Sequence, residues 1–137
     1  MVNEIWHDSF HGQIPKDNYE MQLIQGEQQG LLIHLYGSLH HVTLDFGNAQ
    51  AVNILDEGVQ LNDPPGVTFV NQAELHRVGF SDTLYQVENG AYAAYVKACM
   101  GTNLYEALDL RQYTLVTRNY VVEIICGAEP IITVTQI

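Results

Sequence analysis

The sequence predicts an α+β fold, with a largely antiparallel β-sheet and one main helix at about residues 89–100 packed on it. Short stretches rich in aliphatic and aromatic residues recur along the chain and are separated by glycine, asparagine and proline. A single stretch has clear helical periodicity, and strand-like stretches lie on both sides of it, which is typical of α+β proteins. The 137 residues, of which 47% are hydrophobic, predict a single domain over 1–137 with its own core.

The first half of the chain is predicted to be all strand. In the segment 40–46, Val42, Leu44 and Phe46 alternate with polar residues, which is the period of a half-buried strand. Glycines and the Gly47-Asn48 pair supply turn signals between the segments. The predicted strands are 3–10, 19–26, 30–37, 40–46 and 49–56.

The second half begins with a loop over 62–66, because two consecutive prolines cannot donate to a strand ladder. The motif Arg118-Asn119 lies between two apolar runs and predicts a hairpin turn. The predicted elements that follow the loop are strands at 73–80 and 83–89, a short helix or turn at 103–110, strands at 111–118 and 120–127, and a last strand or tail at 130–136.

The main helix is predicted from small residues and an apolar stripe in "NGAYAAYVKACMG". Asn89 is a suitable N-cap residue, and Gly101 stands where a glycine commonly ends a helix. The apolar stripe consists of Tyr92, Tyr95, Val96 and Cys99.

The charge balance restricts the partners. The chain has 5 lysines and arginines against 16 aspartates and glutamates, a formal net charge of −11. Such a surface repels phosphate backbones and anionic lipid, so we expect neither nucleic-acid nor membrane binding. An acidic surface favours a basic protein partner through long-range attraction, although excess acid also serves solubility alone.

Cysteine usage and the apolar runs bear on the compartment. Cys99 and Cys126 belong to no metal-binding spacing and are predicted to be small buried thiols of a reducing compartment. The chain has no apolar run near the roughly 18 residues of a membrane helix and no secretory pattern at its start. These features predict a cytoplasmic location.

Four stretches resemble a group of small bacterial proteins and occur in the same order there: "WHDS" (6–9), "LDFGNAQAVNILDEG" (44–58), "YQVENGAYAAYV" (85–96) and "YTLVTRNYVVEIICGAEPII" (113–132). Some members of that group look like immunity proteins encoded beside polymorphic or contact-dependent toxins. Gly90 departs from the pattern, which has a serine there. The resemblance covers most of the chain and implies a non-catalytic cytoplasmic protein that binds and blocks a cognate toxin domain. It assigns no functional residue.

Enzymatic alternatives come from the histidines. His7, Asp8 and Ser9 are the residue types of a hydrolase triad, but alternation along a strand would put neighbours on opposite faces. His7, His11 and His34 with a carboxylate could bind zinc if their strands pair suitably, although no H-E-x-x-H spacing is present. The sequence therefore predicts no catalytic residue, no metal and no cofactor. The alternative is a small metal-dependent or hydrolytic enzyme that uses the histidines near the N-terminal strand.

A binding face is predicted instead, because the 8 tyrosines are a residue type that often anchors interfaces. An acidic patch would steer a basic toxin domain, and aromatic anchors would then be desolvated. A homo-oligomer joined through open sheet edges is a third interpretation. The predicted partner-binding residues are Asp56, Glu57, Asp63, Tyr85, Glu88 and Tyr92.

Overall fold

The computed structural model describes residues 3–56, 69–79 and 81–137. It confirms the α+β class, since strands dominate and a few short helices accompany them. The elements are β1 (Ile5–His7), β2 (Glu20–Gly26), β3 (Gly30–Tyr36), β4 (His40–Gly47), β5 (Ala49–Asp56), α1 (Gln72–Val78), β6 (Leu84–Glu88), α2 (Ala91–Met100), α3 (Thr102–Ala107), β7 (Arg111–Val116), β8 (Tyr120–Cys126) and β9 (Ile131–Gln136).

The strands form two antiparallel sheets. One has five strands in the order β1-β6-β7-β8-β5, and the other has four in the order β2-β3-β4-β9. The predicted hairpin around Arg118-Asn119 is present as β7 and β8. The Gly47-Asn48 pair, by contrast, carries the chain from one sheet to the other, because β4 pairs with β9 and β5 pairs with β8.

The main core lies between the two sheets. The alternation predicted for β4 is confirmed, since its apolar positions are buried and pack with those of β3. Burial of each large aliphatic or aromatic side chain contributes about 1.5–3 kcal/mol. The fully buried side chains of the core include Leu31, Ile33, Leu35, Val42, Leu44, Tyr113, Leu115, Val122 and Ile124.

The opposite face of the five-stranded sheet is covered by the helices. Leu75 and Val78 of α1 pack against a cluster that contains Trp6 and Tyr85. Tyr92 and Val96 of α2 pack on Ile125 of β8 in a neighbouring cluster. The protein thus has three layers in the order four-stranded sheet, five-stranded sheet and helices. In the described residues, no helix is both long enough and apolar enough to cross a membrane.

The strand predicted at 73–80 is wrong, because residues 72–78 form helix α1. The side chain of Asn71 accepts a hydrogen bond from the backbone N–H of Glu74, which caps the first turn. Leu75 and Val78 lie one turn apart and contact the same cluster, so the apolar residues fit a helical period. Gly79, with φ +57°, ends the helix.

The N-terminal strand is shorter than the predicted 3–10, because β1 ends at His7 and a turn follows in which the N–H of His11 donates to Asp8 O at 2.9 Å. This turn sends Trp6 and Phe10 to opposite sides of the five-stranded sheet. In a continuous strand over the predicted range 3–10, alternation would put the two aromatic residues on one face. Ser9 lies in the turn rather than beside His7 on a strand, which further separates the triad residue types.

Helix α2 confirms the main helix, with a different start. Gly90 is its N-cap residue, and Asn89 has φ +57° and donates instead to Asn3 O at 3.2 Å. The carboxylate of Glu4 accepts from the N–H of Ala91 at 2.8 Å, so an acidic group from a distant segment satisfies the helix start. The predicted end at Gly101 is correct.

The two cysteines are free and lie in different environments. Cys126 is buried in the core between the sheets, as predicted. Cys99 is exposed on α2, so the expectation that it is buried is wrong. Its position in the helix turns it away from the sheet, while Tyr92 and Val96 form the buried side of α2.

Candidate functional site

Asp56 and Glu88, the two acidic residues of the predicted patch that the structure describes, lie on separate strands of the five-stranded sheet. Asp56 is exposed at the end of β5, and Glu88 is exposed at the end of β6. Strands β7 and β8 lie between β6 and β5. At about 4.8 Å per strand spacing, β6 and β5 are therefore roughly 14 Å apart. Glu57 and Asp63 lie outside the described residues.

The two predicted tyrosine anchors are core residues. Tyr85 is 1% exposed and Tyr92 is 6% exposed. The ring of Tyr85 lies 5.7 Å from that of Trp6, and its hydroxyl donates to the backbone carbonyl of Asp82 at 3.1 Å. Both rings lie between the five-stranded sheet and the helices, so neither is available for a partner to bury.

A different surface has the features of a binding face: the side of the four-stranded sheet that points away from the core, called here the outer face. The helices pack on the other sheet and, within the described residues, leave this side open. Strands β2, β3, β4 and β9 contain no lysine or arginine. The side chains of the outer face on β2, β3 and β4 include Glu20, Gln22, His34, Tyr36, His41, Thr43 and Asp45.

Three rings on the outer face are stacked on one another. Antiparallel pairing places Tyr36 opposite His41, and their ring centroids are 4.6 Å apart with planes 12° apart. His34 stacks on both, and its Nδ1 lies 3.1 Å from Nε2 of His41, within hydrogen-bond distance. The hydroxyl of Tyr36 donates to Gln22 Oε1 at 3.2 Å. The contacts hold a half-exposed aromatic cluster in place before any partner arrives.

One edge of the same sheet is open and apolar. Within the described residues, strand β9 pairs with β4 alone, so its other side has no backbone partner among them. Ile131 is 67% exposed and Val134 is 41% exposed on this strand. Edge strands without charged residues are able to pair with another chain. The open edge of β9 supports the homo-oligomer interpretation, which stays a prediction.

A group of three residues that could bind a metal lies at the turn that follows β1. Asp8, His11 and Asp82 each offer one ligand atom, and these atoms lie within 4.8 Å of one another. His11 Nδ1 is 2.9 Å from Asp82 Oδ1. The sequence argument considered His11 for a metal site with His7 and His34. The structure instead pairs His7 with Glu88 at 3.1 Å and His34 with His41.

A buried carboxyl group lies between the five-stranded sheet and the helices. Glu123 on β8 is fully buried, and burial raises its pKa to about 7 from an ordinary value of 4.5. Asn53 donates to its Oε1 at 2.8 Å, and Gln112 donates to its Oε2 at 3.1 Å. The oxygen of Gln112 in turn accepts from the N–H of Ala93 at the start of α2. This network joins four elements, β5, β7, β8 and α2, and leaves no exposed atom of Glu123 for a substrate to reach.

Protein-family models, curated proteins and solved structures give no match to the chain. The resemblance to immunity proteins therefore stays a prediction from the sequence. Sequence reasoning missed the stacked rings, although the alternate positions of His34 and Tyr36 on one strand were a usable signal. It also missed Glu123, a carboxyl group inside an otherwise apolar run.

Proposed function

We propose that this protein is a non-catalytic binding protein, an immunity protein that neutralises a basic toxin domain by covering it with the outer face. The observation that carries the proposal is the stacked cluster of Tyr36, His34 and His41 on an open sheet face. Aromatic groups that are already ordered lose little conformational entropy on binding and serve as interface anchors.

The charge of the outer face supports a basic partner. Glu20 and Asp45 lie on it, and its four strands carry no lysine or arginine. The whole chain has a net charge of −11. A basic toxin domain would be attracted over a distance of about one Debye length, roughly 8 Å at physiological salt, and its association would slow as salt rises. The acidic groups set the encounter rate, and the stacked rings contribute the short-range affinity.

The test is co-expression with the product of the gene immediately upstream, followed by purification of the complex and a binding measurement. In the double variant Tyr36→Ala/His41→Ala, we expect affinity for that toxin domain to fall about 30-fold or more, because truncation of central aromatic anchors costs about 2 kcal/mol or more. Protection of cells from the toxin should be lost in parallel.

Tyr95→Ala is the matched control, since Tyr95 is 52% exposed on helix α2 and Tyr36 is 43% exposed on the outer face. The control should leave binding unchanged. Equal losses for the two variants would contradict the assignment of the outer face. An upstream product that is not a toxin, together with the failure of any neighbour to co-purify, would contradict the immunity function itself.

A second candidate function is metal-dependent hydrolysis at Asp8, His11 and Asp82, and the geometry of that cluster favours it over the other histidines. Two carboxylates and one imidazole are ligands for first-row divalent metals, and three protein ligands leave positions for water and substrate. A metal there would supply a hydroxide nucleophile near neutral pH. Asp82 is positioned by the buried Tyr85, whose hydroxyl accepts from the N–H of Asp82 at 3.0 Å.

Metal binding is tested by zinc and manganese titration of the purified chain. If the cluster is a metal site, His11→Gln should weaken binding at least 10-fold, because it removes one of three ligands. His7→Gln is the control, since His7 also pairs with a carboxylate but lies outside the cluster. Equal metal affinity in the wild type and His11→Gln would remove this candidate. Substrate turnover that depends on His11 would favour it over the binding function.

A further inference from the structure

Lys16 and Arg118 differ from the other cations of this acidic chain. The chain has only 5 lysines and arginines. Three of them form ion pairs: Arg77 with Glu74, Lys97 with Glu106, and Arg111 with Asp109. Lys16 and Arg118 make no ion pair with any residue in 3–56, 69–79 or 81–137.

Both of these cations line the same cavity. It has a volume of about 560 Å³ and is bounded by the segment between β1 and β2, the segment before β6 and the turn between β7 and β8. That volume is within the range of roughly 300–1,000 Å³ that small-molecule sites occupy. The cavity thus brings together the two cations that form no ion pair within the described part of the chain.

Neutral hydrogen-bond donors accompany the cations. Thr83 lines the cavity, and its hydroxyl has no partner among the described residues. The hydroxyl of Thr117 accepts from the N–H of Tyr120, and the N–H of Val116 donates to Thr83 O at 2.8 Å. These backbone contacts fix the two segments that present Thr83 and Arg118. A guanidinium, an ammonium and a hydroxyl together match the several oxygens of a tetrahedral anion.

The two carboxylates of the cavity are held by other groups. Asp17 accepts from the N–H groups of Asn18 and Leu39, both at 2.8 Å, and from the hydroxyl of Ser38 at 2.9 Å. These donors hold the pKa of Asp17 well below its usual range. Asp17 is therefore an anion whose oxygens already bind the turn between β3 and β4. Asp82 directs Oδ1 to His11 at 2.9 Å. Among the described residues that line the cavity, Lys16 and Arg118 are therefore the charged groups that no other described group holds.

We propose that this cavity binds the phosphate group of a small molecule through Lys16, Arg118 and Thr83. None of the residues that line the cavity is among the side chains named for the outer face, so this proposal goes beyond toxin binding. A phosphate group is favoured over a carboxylate because it offers more acceptor oxygens to the set of donors and carries more charge near neutral pH.

The probe is inorganic phosphate, added at constant ionic strength and followed by two-dimensional amide NMR of the full chain, with acetate as a parallel titrant. We expect saturable shifts at the amides of Lys16, Thr83 and Arg118 with phosphate and much smaller ones with acetate. The double variant Lys16→Gln/Arg118→Gln should weaken phosphate binding at least 10-fold.

Lys97→Gln/Arg111→Gln is the control, because it has the same net charge and removes two cations that are already paired. Phosphate binding should be unchanged in it. Three results would each overturn the proposal: phosphate shifts that do not saturate at the cavity, equal weakening in the two double variants, or acetate binding as tight as phosphate binding. A spectrum of Lys16→Gln/Arg118→Gln that matches the wild type away from the cavity shows that the loss is local.

Discussion

Glu123→Gln should raise the free energy of unfolding at alkaline pH. It should also remove most of the fall in that free energy as the pH rises through 7. Burial raises the pKa of Glu123 to about 7 in the folded protein, whereas the ordinary value is 4.5. The folded state therefore holds its proton more tightly than the unfolded state does. The stability that the protonated group gives is complete below pH 4.5 and is lost as the pH rises through 7. The ionised form is a buried charge whose partners are neutral amides.

The size of the effect follows from the shift. Between about pH 5.5 and 8.5, a pKa displaced from 4.5 to about 7 changes the free energy of unfolding by roughly 2 kcal/mol. Glutamine has the shape of the protonated acid and carries no charge. Its oxygen can accept from Gln112, and its amide can donate to Asn53 if that side chain turns its oxygen inward. The variant should therefore match the wild type near pH 5.5 and exceed it near pH 8.5.

Urea unfolding at both pH values measures this difference. Glu27→Gln is the control, because Glu27 is exposed in the turn between β2 and β3 and the substitution changes the net charge equally. The variants and the wild type share every other ionisable group, so the difference between their profiles isolates Glu123. Parallel profiles for the wild type and Glu123→Gln would show that the buried carboxyl group is not the source of the pH dependence.

Local signals were sufficient for most of the strands and for the main helix. Alternation identified β4, and glycine and asparagine turns separated the neighbouring strands correctly. Helix α1 was mistaken for a strand because seven residues give little periodicity, and the decisive contact is the cap by Asn71. The assignment of strands to two sheets depends on long-range pairing, which no local pattern encodes.

The candidate site was harder to predict than the fold, because side-chain exposure depends on which face each neighbouring element covers. Tyr85 and Tyr92 were chosen as anchors by residue type, and the helices bury both. The stacked rings arise from pairing between β3 and β4, a relation that alternation suggests only after the register is known. Asp82 joins Asp8 and His11 across the fold, so their proximity was also not visible in the sequence.

Gly30→Ala should be among the most destabilising single substitutions in the four-stranded sheet. Gly30 begins β3 with φ +75°, a conformation that favours glycine. A Cβ atom there would lie 2.2 Å from the carbonyl oxygen of Gly47 and 2.4 Å from its carbonyl carbon. Both are backbone atoms at the irregular pairing between β3 and β4, next to the point where the chain crosses to the other sheet. Relief of the clash requires the two strands to separate.

Gly47→Ala is a matched control on the other side of the same contact. Gly47 also has a positive φ, +66°, but a Cβ atom there meets nothing within 4 Å. Gly47→Ala should lower the free energy of unfolding by about 1–2 kcal/mol, which is the strain of an alanine in the left-handed conformation. Gly30→Ala should add about 1–3 kcal/mol of steric strain to that cost. Chemical denaturation compares the two, and equal costs would mean that the close approach of β3 to Gly47 does not constrain the folded protein. A larger loss of stability in Gly30→Ala than in Gly47→Ala would show that the close approach of these two glycines constrains the irregular register between β3 and β4. That register places Leu32, His34 and Tyr36 on the outer face.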